Sequence, residues 1–202
     1  LDEATGGAIT KAIKASTFKG KSGQSLQVLA PANVDLSRVI MFGIGKEAEF
    51  DVFAAQKLGG SVTTRAISTG EKELSVLFDM EGLASDFATG AMLRDYRFDK
   101  YRTTETKEDK PVLKTLAIAA RDHKDAKKQF DSAKKVVEGV FFTRDLVSEP
   151  ANVLHPESFT KEVKALEKLG VEIDVLDEKE MKKLGMGALL GVAMGSAQKP
   201  AM

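Results

Sequence analysis

Apolar residues recur along this chain in two patterns, short continuous runs and longer stretches with three- and four-residue spacing. Continuous apolar runs are typical of buried strands, and the longer spacing is typical of helices with one buried face. The predicted strands lie at residues 25–30, 38–44, 74–78 and 113–119. The predicted helices lie at residues 1–16, 45–58, 82–96 and 124–149.

Glycines and polar connectors predict the turns between these elements. The turn residues 20–23 predict a hairpin over residues 18–30. The adjacent glycines at 59 and 60 stand where a left-handed cap commonly closes a helix, so the second helix is predicted to end there. Residues 61–69 favour a further helix, although their β-branched threonines leave a strand open. Residues 103–110 carry few apolar side chains, and we expect a mobile loop.

Strands that alternate with helices predict an α/β protein with three layers, a mostly parallel sheet flanked by helices. Pro150 lacks a backbone donor and ends the long helix, which makes it the best domain boundary. We therefore expect an amino-terminal domain over residues 1–122, a linker helix over 123–150, and an incomplete second α/β domain over 151–202.

The second domain is predicted to open at Pro156, a favoured first residue of a helix, and this helix is predicted to close at Gly170. A strand at residues 171–176, a short helix at 178–184 and an apolar strand at 188–194 are expected to follow. Both ends of the chain look cut, so we expect an interior piece of a longer protein.

Charge and composition exclude several classes of protein. Lys plus Arg and Asp plus Glu number 30 each, so no overall field directs the chain to nucleic acid or to an acidic membrane. No apolar run approaches the roughly 20 residues that cross a bilayer. The absence of cysteine excludes thiolate chemistry and suits a reducing cytoplasm.

The segment 43–48 is the strongest candidate for a phosphate-binding loop. It follows a predicted strand and matches the G-x-G-x-x-A form of the dinucleotide fingerprint. No acidic residue follows some 20 positions later to hold a ribose, because that segment reads Thr63-Thr64-Arg65. A plain turn between strand and helix is the favoured interpretation, and nucleotide binding is the alternative.

Other ionisable residues are better explained by local structure than by chemistry. His123 and His155 are the only histidines and lie 32 positions apart, too far for a short-spaced metal pair. The lysine-rich segment 124–135 could contact phosphates, but interspersed aspartates favour a solvated helix face. The acidic residues among 177–180 alternate with lysines, as on an exposed, ion-paired helix.

Three sequence words carry a resemblance to a known family. They are RDYRFDKY at residues 94–101, RDLVSEPANVLHPE at 144–157, and LGMGALLGV at 184–192 followed by Gly195-Ser196. In this order they resemble words of the leucyl aminopeptidase family, late in its amino-terminal domain, at its hinge, and at the first strand of its catalytic domain. Ser148 and His155 depart from the asparagine and threonine that are usual there.

The resemblance implies an enzyme that releases amino-terminal residues from peptides with two divalent ions, Zn or Mn, that activate a bridging water. It implies a macro-domain-like amino-terminal domain that here lacks its first strand, a homo-hexamer, and DNA binding in some bacterial members. The family's metal-binding word NTDAEGR is absent from this chain. We therefore assign no catalytic, cofactor-binding or metal residue and expect this segment to be inactive.

Two non-catalytic functions remain as alternatives. The amino-terminal part could be a binding module for DNA or a phosphorylated ligand, with a cleft near residues 43–48. It could instead shape the oligomer and shield the entrance to active sites formed elsewhere.

Overall fold

A computed structural model describes residues 1–202, which form two compact units, Leu1–Gly139 and Val140–Met202. The strands are β1 (Ser25–Leu29), β2 (Arg38–Phe42), β3 (Glu73–Leu77) and β4 (Thr115–Ala119). The helices are α1 (Ala8–Ala15), α2 (Val52–Thr69), α3 (Ala84–Asp95), α4 (His123–Ser148), α5 (Pro156–Lys164), α6 (Glu178–Lys183) and α7 (Gly187–Ala193). The division between the units falls within α4, and no helix is long and apolar enough to cross a membrane.

The first unit is α/β, with two small sheets in place of the single, mostly parallel sheet that was predicted. Strand β1 pairs antiparallel with β2, and β3 pairs parallel with β4. The hairpin predicted over residues 18–30 is therefore wrong, because the partner of β1 is β2. Their connection spans only residues 30–37, which suits antiparallel pairing, whereas parallel strands need a longer crossover.

Helix α2 continues through the glycines that were predicted to end it. A Cβ built on Gly59 would lie 2.0 Å from the carbonyl oxygen of Phe87, and one on Gly90 would lie 1.9 Å from that of Gln56. These glycines therefore let α2 and α3 approach backbone to backbone. The helix ends instead at Gly70, which adopts a left-handed φ of 70°. The helical interpretation of residues 61–69 is confirmed.

The start of α2 also differs from the prediction. A short 3-10 turn, Glu47–Glu49, follows the glycine segment, and α2 begins only at Val52. The Asp51 carboxylate accepts a hydrogen bond of 2.8 Å from the backbone N–H of Ala54. This side chain caps the helix by satisfying one of its free N–H groups.

Aromatic side chains form the centre of the core in the first unit. Phe78 lies between Phe50 and Phe87, with ring centroids 6.4 and 4.9 Å apart. Phe87 is fully buried, and the cluster is completed by smaller side chains of α2, α3 and α4, which are Ala55, Val62, Ala84 and Ala126. Apolar residues of two predicted strands and of the helix predicted at residues 82–96 lie in or against this core, namely Leu74, Val76, Leu83, Phe87, Leu116 and Ile118.

The second unit is helical throughout its regular elements. Helix α5 begins at Pro156, passes into a 3-10 turn at Ala165–Leu169 and ends at Gly170, as predicted. The strand predicted at residues 188–194 is wrong, since these residues form α7. A short apolar run rich in Ala and Leu does not distinguish strand from helix by its periodicity, and its propensity favours a helix.

The strand predicted at residues 171–176 is also not formed. This segment has no partner strand, although Leu176 exchanges two backbone hydrogen bonds with Met202, of 2.7 and 3.1 Å. One exchanged pair does not make a ladder. Residues 171–176 are therefore not part of a strand.

Candidate functional site

The glycine segment at residues 43–48 packs against the chain's own backbone. Gly43 N–H donates to Gln24 O at 2.8 Å, and Gly45 N–H donates to Gly20 O at 2.9 Å. A Cβ on Gly43 would lie 2.2 Å from Lys21 O. The close approach that a glycine permits is thus used by the preceding turn, which favours the plain-turn interpretation over a phosphate cradle.

The two histidines lie in different compact units. His123 is the first residue of α4 and its side chain is exposed. His155 precedes α5, where its backbone N–H donates to Ser158 Oγ at 2.9 Å, and its Nδ1 is buried without a partner. The described residues contain no group of three or more His, Asp or Glu side chains that could hold a metal ion. We therefore assign neither histidine to a metal.

The acidic residues among 177–180 have structural partners. Asp177 and Glu180 each accept the other's backbone N–H, at 2.9 and 2.8 Å, which forms a capping box at the start of α6. Glu178 pairs with Lys182 at 2.6 Å, and this hydrogen bond lowers the pKa of the Glu178 carboxyl. A D-x-x-E pattern before a helix was the sequence signal for this cap.

The lysines of α4 also pair along their own helix. Lys127 lies 3.1 Å from Asp131, and Lys134 lies 3.9 Å from Glu138, both at i, i+4 spacing on exposed side chains. Such pairs are typical of a solvated face. They support the interpretation of residues 124–135 as an exposed helix surface.

Side chains of the motif at residues 94–101 bind the loop that follows it. Arg97 forms an ion pair with Glu105 and lies 3.6 Å from Asp99. The hydrogen bond that Arg97 donates to Glu105, followed by the nearby negative charges of Glu105 and Asp99, raises the pKa of Arg97. The rings of Phe98 and Tyr101 pack at a tilt of 57°, with centroids 5.8 Å apart. Residues 103–110 form no helix or strand, but Glu105 ties them to the preceding word.

The motif at residues 144–157 runs from the end of α4 into α5 through a tight turn. The N–H groups of Val153 and Leu154 both donate to Pro150 O, at 2.8 and 2.9 Å. Ser158 Oγ donates to Val153 O at 2.7 Å, and Glu157 pairs with Lys161 at 2.8 Å. The hydrogen bond from Lys161 lowers the pKa of Glu157. These contacts give the residues of this motif a structural role, and none of them requires a reacting group.

One cavity of about 510 Å³ lies in the first unit, among α3, β4 and the first turns of α4. Its walls are mainly apolar, and Ser85, His123 and Lys127 lie among its few polar groups. Sequence reasoning missed this cavity, because periodicity predicts each element but not the space left between the side chains of packed elements. Of the two histidines that the sequence analysis considered, His123 lines this cavity.

Two family models match the chain. The N-terminal domain of the cytosol aminopeptidase family matches residues 1–105, and the catalytic domain of that family matches residues 141–202. The first unit has an α/β fold. The matches show an N-terminal domain of an aminopeptidase family, followed by residues that match the catalytic domain of the same family. The chain belongs to the cytosol aminopeptidase family, which confirms the resemblance drawn from its three words.

Curated relatives show the same relationship. The chain is 41% identical over 199 residues to a probable cytosol aminopeptidase of Caulobacter vibrioides, which covers 98% of this chain and 40% of the relative. It is 42% identical over 197 residues to a probable cytosol aminopeptidase of Rhodopseudomonas palustris, with 95% and 39% covered. The chain thus spans about 40% of the length of these relatives.

Solved structures share the fold. A mutant of tomato leucine aminopeptidase superposes with a TM-score of 0.82 at 27% identity, over 99% of this chain and 41% of that one. The bottromycin maturation enzyme BotP, solved in complex with Mn, superposes with a TM-score of 0.76 at 21% identity, over 94% and 40%. At 21% identity, the similarity to BotP shows a shared fold alone.

Proposed function

We propose that the full-length protein is a leucyl aminopeptidase that hydrolyses amino-terminal residues from peptides. The observation that carries this proposal is the order of the two family matches, N-terminal domain over residues 1–105 and catalytic domain over 141–202. The tomato leucine aminopeptidase mutant supports it by superposing over 99% of this chain. The first unit, with its parallel β3–β4 pair and covering helices, corresponds in this proposal to a macro-like domain.

The residues of this chain do not fit the two divalent ions, Zn or Mn, that the proposal requires. Asp177, Glu178 and Glu180 are held in a capping box and an ion pair, and no third ligand lies near either histidine. No reaction step is therefore assigned to a metal held by these residues. We place the metal ligands in the part of the family sequence that this chain does not match.

The 202-residue chain is accordingly proposed to be inactive as a peptidase. The test is hydrolysis of leucine p-nitroanilide by the purified chain in the presence of Mn²⁺, beside a full-length relative as the positive control. We expect no turnover above the buffer rate. Turnover by the chain at a rate comparable with the full-length enzyme would show that the active site lies within these residues.

The full-length protein is further proposed to act in the cytoplasm as a homo-hexamer, with peptides as substrates and the amino-terminal domain shaping the assembly. Light scattering of a full-length relative, before and after deletion of the region that matches residues 1–105, tests the assembly role. We expect the deletion to change the oligomer size or the peptide selectivity. If both stay unchanged, the assembly role is wrong.

Binding of DNA or a phosphorylated ligand is the less favoured alternative. The turn at residues 20–24 fills the space beside Gly43, and the lysines of α4 pair with carboxylates on their own helix. Calorimetry with ADP-ribose and a DNA mobility shift at two salt concentrations test this alternative. We expect no binding in either assay.

A further inference from the structure

The cavity in the first unit has apolar walls that the protein covers only in part. Its volume of about 510 Å³ lies within the roughly 300–1,000 Å³ of small-molecule pockets. The half-buried apolar residues that line it are Ala88, Met92, Leu113, Leu116, Ile118 and Phe130. These walls still expose apolar surface to water, and a molecule that covered this surface would gain free energy by removing it from water.

Small side chains of α3 leave part of this volume open. Ala84, Ala88 and Ala91 line the cavity at helical spacing, and each contributes only a methyl group. Ala88 is the middle one of the three. A larger side chain at this position would therefore occupy space that is now empty.

The polar side chains along the walls leave no buried donor or acceptor for a ligand. The buried Thr63 hydroxyl donates to the backbone oxygen of Ala91 at 3.3 Å. The side-chain atoms that are buried without a partner are Glu105 Oε2, Asp122 Oδ1 and His155 Nδ1, and none of these residues lines the cavity. A buried polar group is costly to leave unpaired, so its absence from these walls gives no reason for a polar ligand.

The ionisable residues of the walls do not favour a charged ligand either. Lys127 pairs with Asp131 along its own helix at 3.1 Å. Exposed groups such as these keep their water, and they carry both signs of charge. The exposed ionisable residues that line the cavity are Asp95, Lys114, His123 and Lys127.

We propose that this cavity binds a neutral, compact aromatic hydrocarbon of the size of naphthalene. An apolar cavity of about 150 Å³ takes a benzene ring, and this cavity is about three times larger. The ligand contacts Met92, Leu116 and Phe130 and covers their exposed apolar surface. The proposal uses only residues of the first unit and does not depend on peptidase activity.

The first test is titration of the 202-residue chain with naphthalene, followed by methyl signals in nuclear magnetic resonance spectra. The ring currents of a bound aromatic molecule shift the signals of nearby methyl groups. We expect saturable shifts that are largest at the lining residues Met92, Leu113, Leu116 and Ile118. Shifts that are as large at the exposed residues Val136 and Val192, or no saturable shift, would overturn the proposal.

Two charged probes test whether the ligand is neutral. Naphthalene-2-carboxylate and naphthalene-2-methylamine keep the two rings and add a negative and a positive charge. Both should bind roughly tenfold more weakly than naphthalene, because an ion loses water beside apolar walls and finds no buried partner there. If either ion binds as tightly as naphthalene, the site is not one for a neutral ligand.

A pair of variants locates the site. Ala88→Leu fills part of the cavity and is expected to weaken naphthalene binding roughly tenfold or more, the effect of an added methylene in an apolar pocket. Ala117→Leu makes the same change at an exposed residue of β4 that does not line the cavity, and binding should stay unchanged. Circular dichroism checks that both variants fold.

If a folded Ala88→Leu binds naphthalene as the unchanged chain does, the molecule binds elsewhere and the proposal is wrong. If Ala88→Leu does not fold, the methyl shifts of the unchanged chain decide the site by themselves.

Discussion

Single atoms decide how closely α2 and α3 approach each other. At Gly59 and Gly90 a methyl group would overlap a carbonyl of the facing helix, at 2.0 and 1.9 Å. Gly60, the next residue of α2, has no atom nearer than 3.7 Å to its position for a Cβ. Two adjacent glycines in one helix therefore have different structural roles, which the sequence alone does not distinguish.

This difference gives a matched pair of variants. Gly59→Ala is expected to lower the free energy of unfolding by about 1–3 kcal/mol, the usual cost of overpacking, or to shift the helices apart. Gly60→Ala should be neutral or stabilise by up to about 1 kcal/mol, because alanine favours a helix. Urea denaturation measures both. Equal effects of the two substitutions would contradict the backbone contact.

At the residue scale, an ion pair with Lys182 sets the direction of the pKa shift of Glu178. Glu178 accepts a hydrogen bond from Lys182, so its pKa lies below the ordinary value of 4.5. A lowered carboxyl pKa contributes stability that is fully present above the unfolded value and is lost as the pH falls through the folded value. We expect α6 to lose this contribution at pH values below about 4.5.

A titration followed by carboxyl carbon shifts checks this assignment. In Lys182→Gln the pKa of Glu178 should rise toward its ordinary value, while the pKa of Glu157, which pairs with Lys161, should stay lowered. No change at Glu178 would show that Lys182 is not the cause.

At the scale of elements, the four strands of the first unit, the helices at residues 82–96 and 124–149, and the helix that opens at Pro156 were predictable from apolar spacing. Their ends at Pro150 and Gly170 followed from backbone chemistry. The two strands predicted at residues 171–176 and 188–194 were wrong. The path of α2 past Gly59 was not predictable, because it depends on the contact with Phe87, a residue distant in sequence. The pairing of β1 with β2 was missed because the turn at residues 20–23 was interpreted as the turn of a hairpin. The cavity in the first unit was missed because its volume depends on how the side chains of several elements pack, which periodicity does not report.

The capped start of α2 gives a prediction for a single element. Asp51→Ala removes the side chain that accepts the Ala54 N–H and should cost about 1 kcal/mol of unfolding free energy. Asp51→Asn keeps an accepting oxygen and should lose only a few tenths. Thermal denaturation compares the two variants, and equal losses would exclude the hydrogen bond as the cause.

At the scale of the whole molecule, we expect the zero net charge and the exposed apolar side chains both to favour self-association. The formal net charge is zero, with an isoelectric point near 7.0. Val192 and Met194 in the second unit are each 86% exposed. Because proteins near zero net charge repel one another weakly, we expect self-association to be strongest near pH 7 and weaker at pH 9.

Sedimentation velocity at the two pH values measures this association. Val192→Asp should reduce it more than Val136→Asp, which places the same charge at an isolated valine of α4 that is 68% exposed. If both substitutions act equally, net charge rather than the apolar surface of the second unit controls association.

The continuity of α4 through residue 139 has a practical consequence for spectroscopy. The chain has no cysteine, so two introduced cysteines would carry spin labels at chosen positions only. Labels at the exposed residues Lys124 and Val136, both in the first unit, would lie about 18 Å apart along a straight helix. This part of α4 would therefore serve as an internal distance standard within the first unit, and a broadened distance distribution in solution would reveal bending of the helix between the two labels.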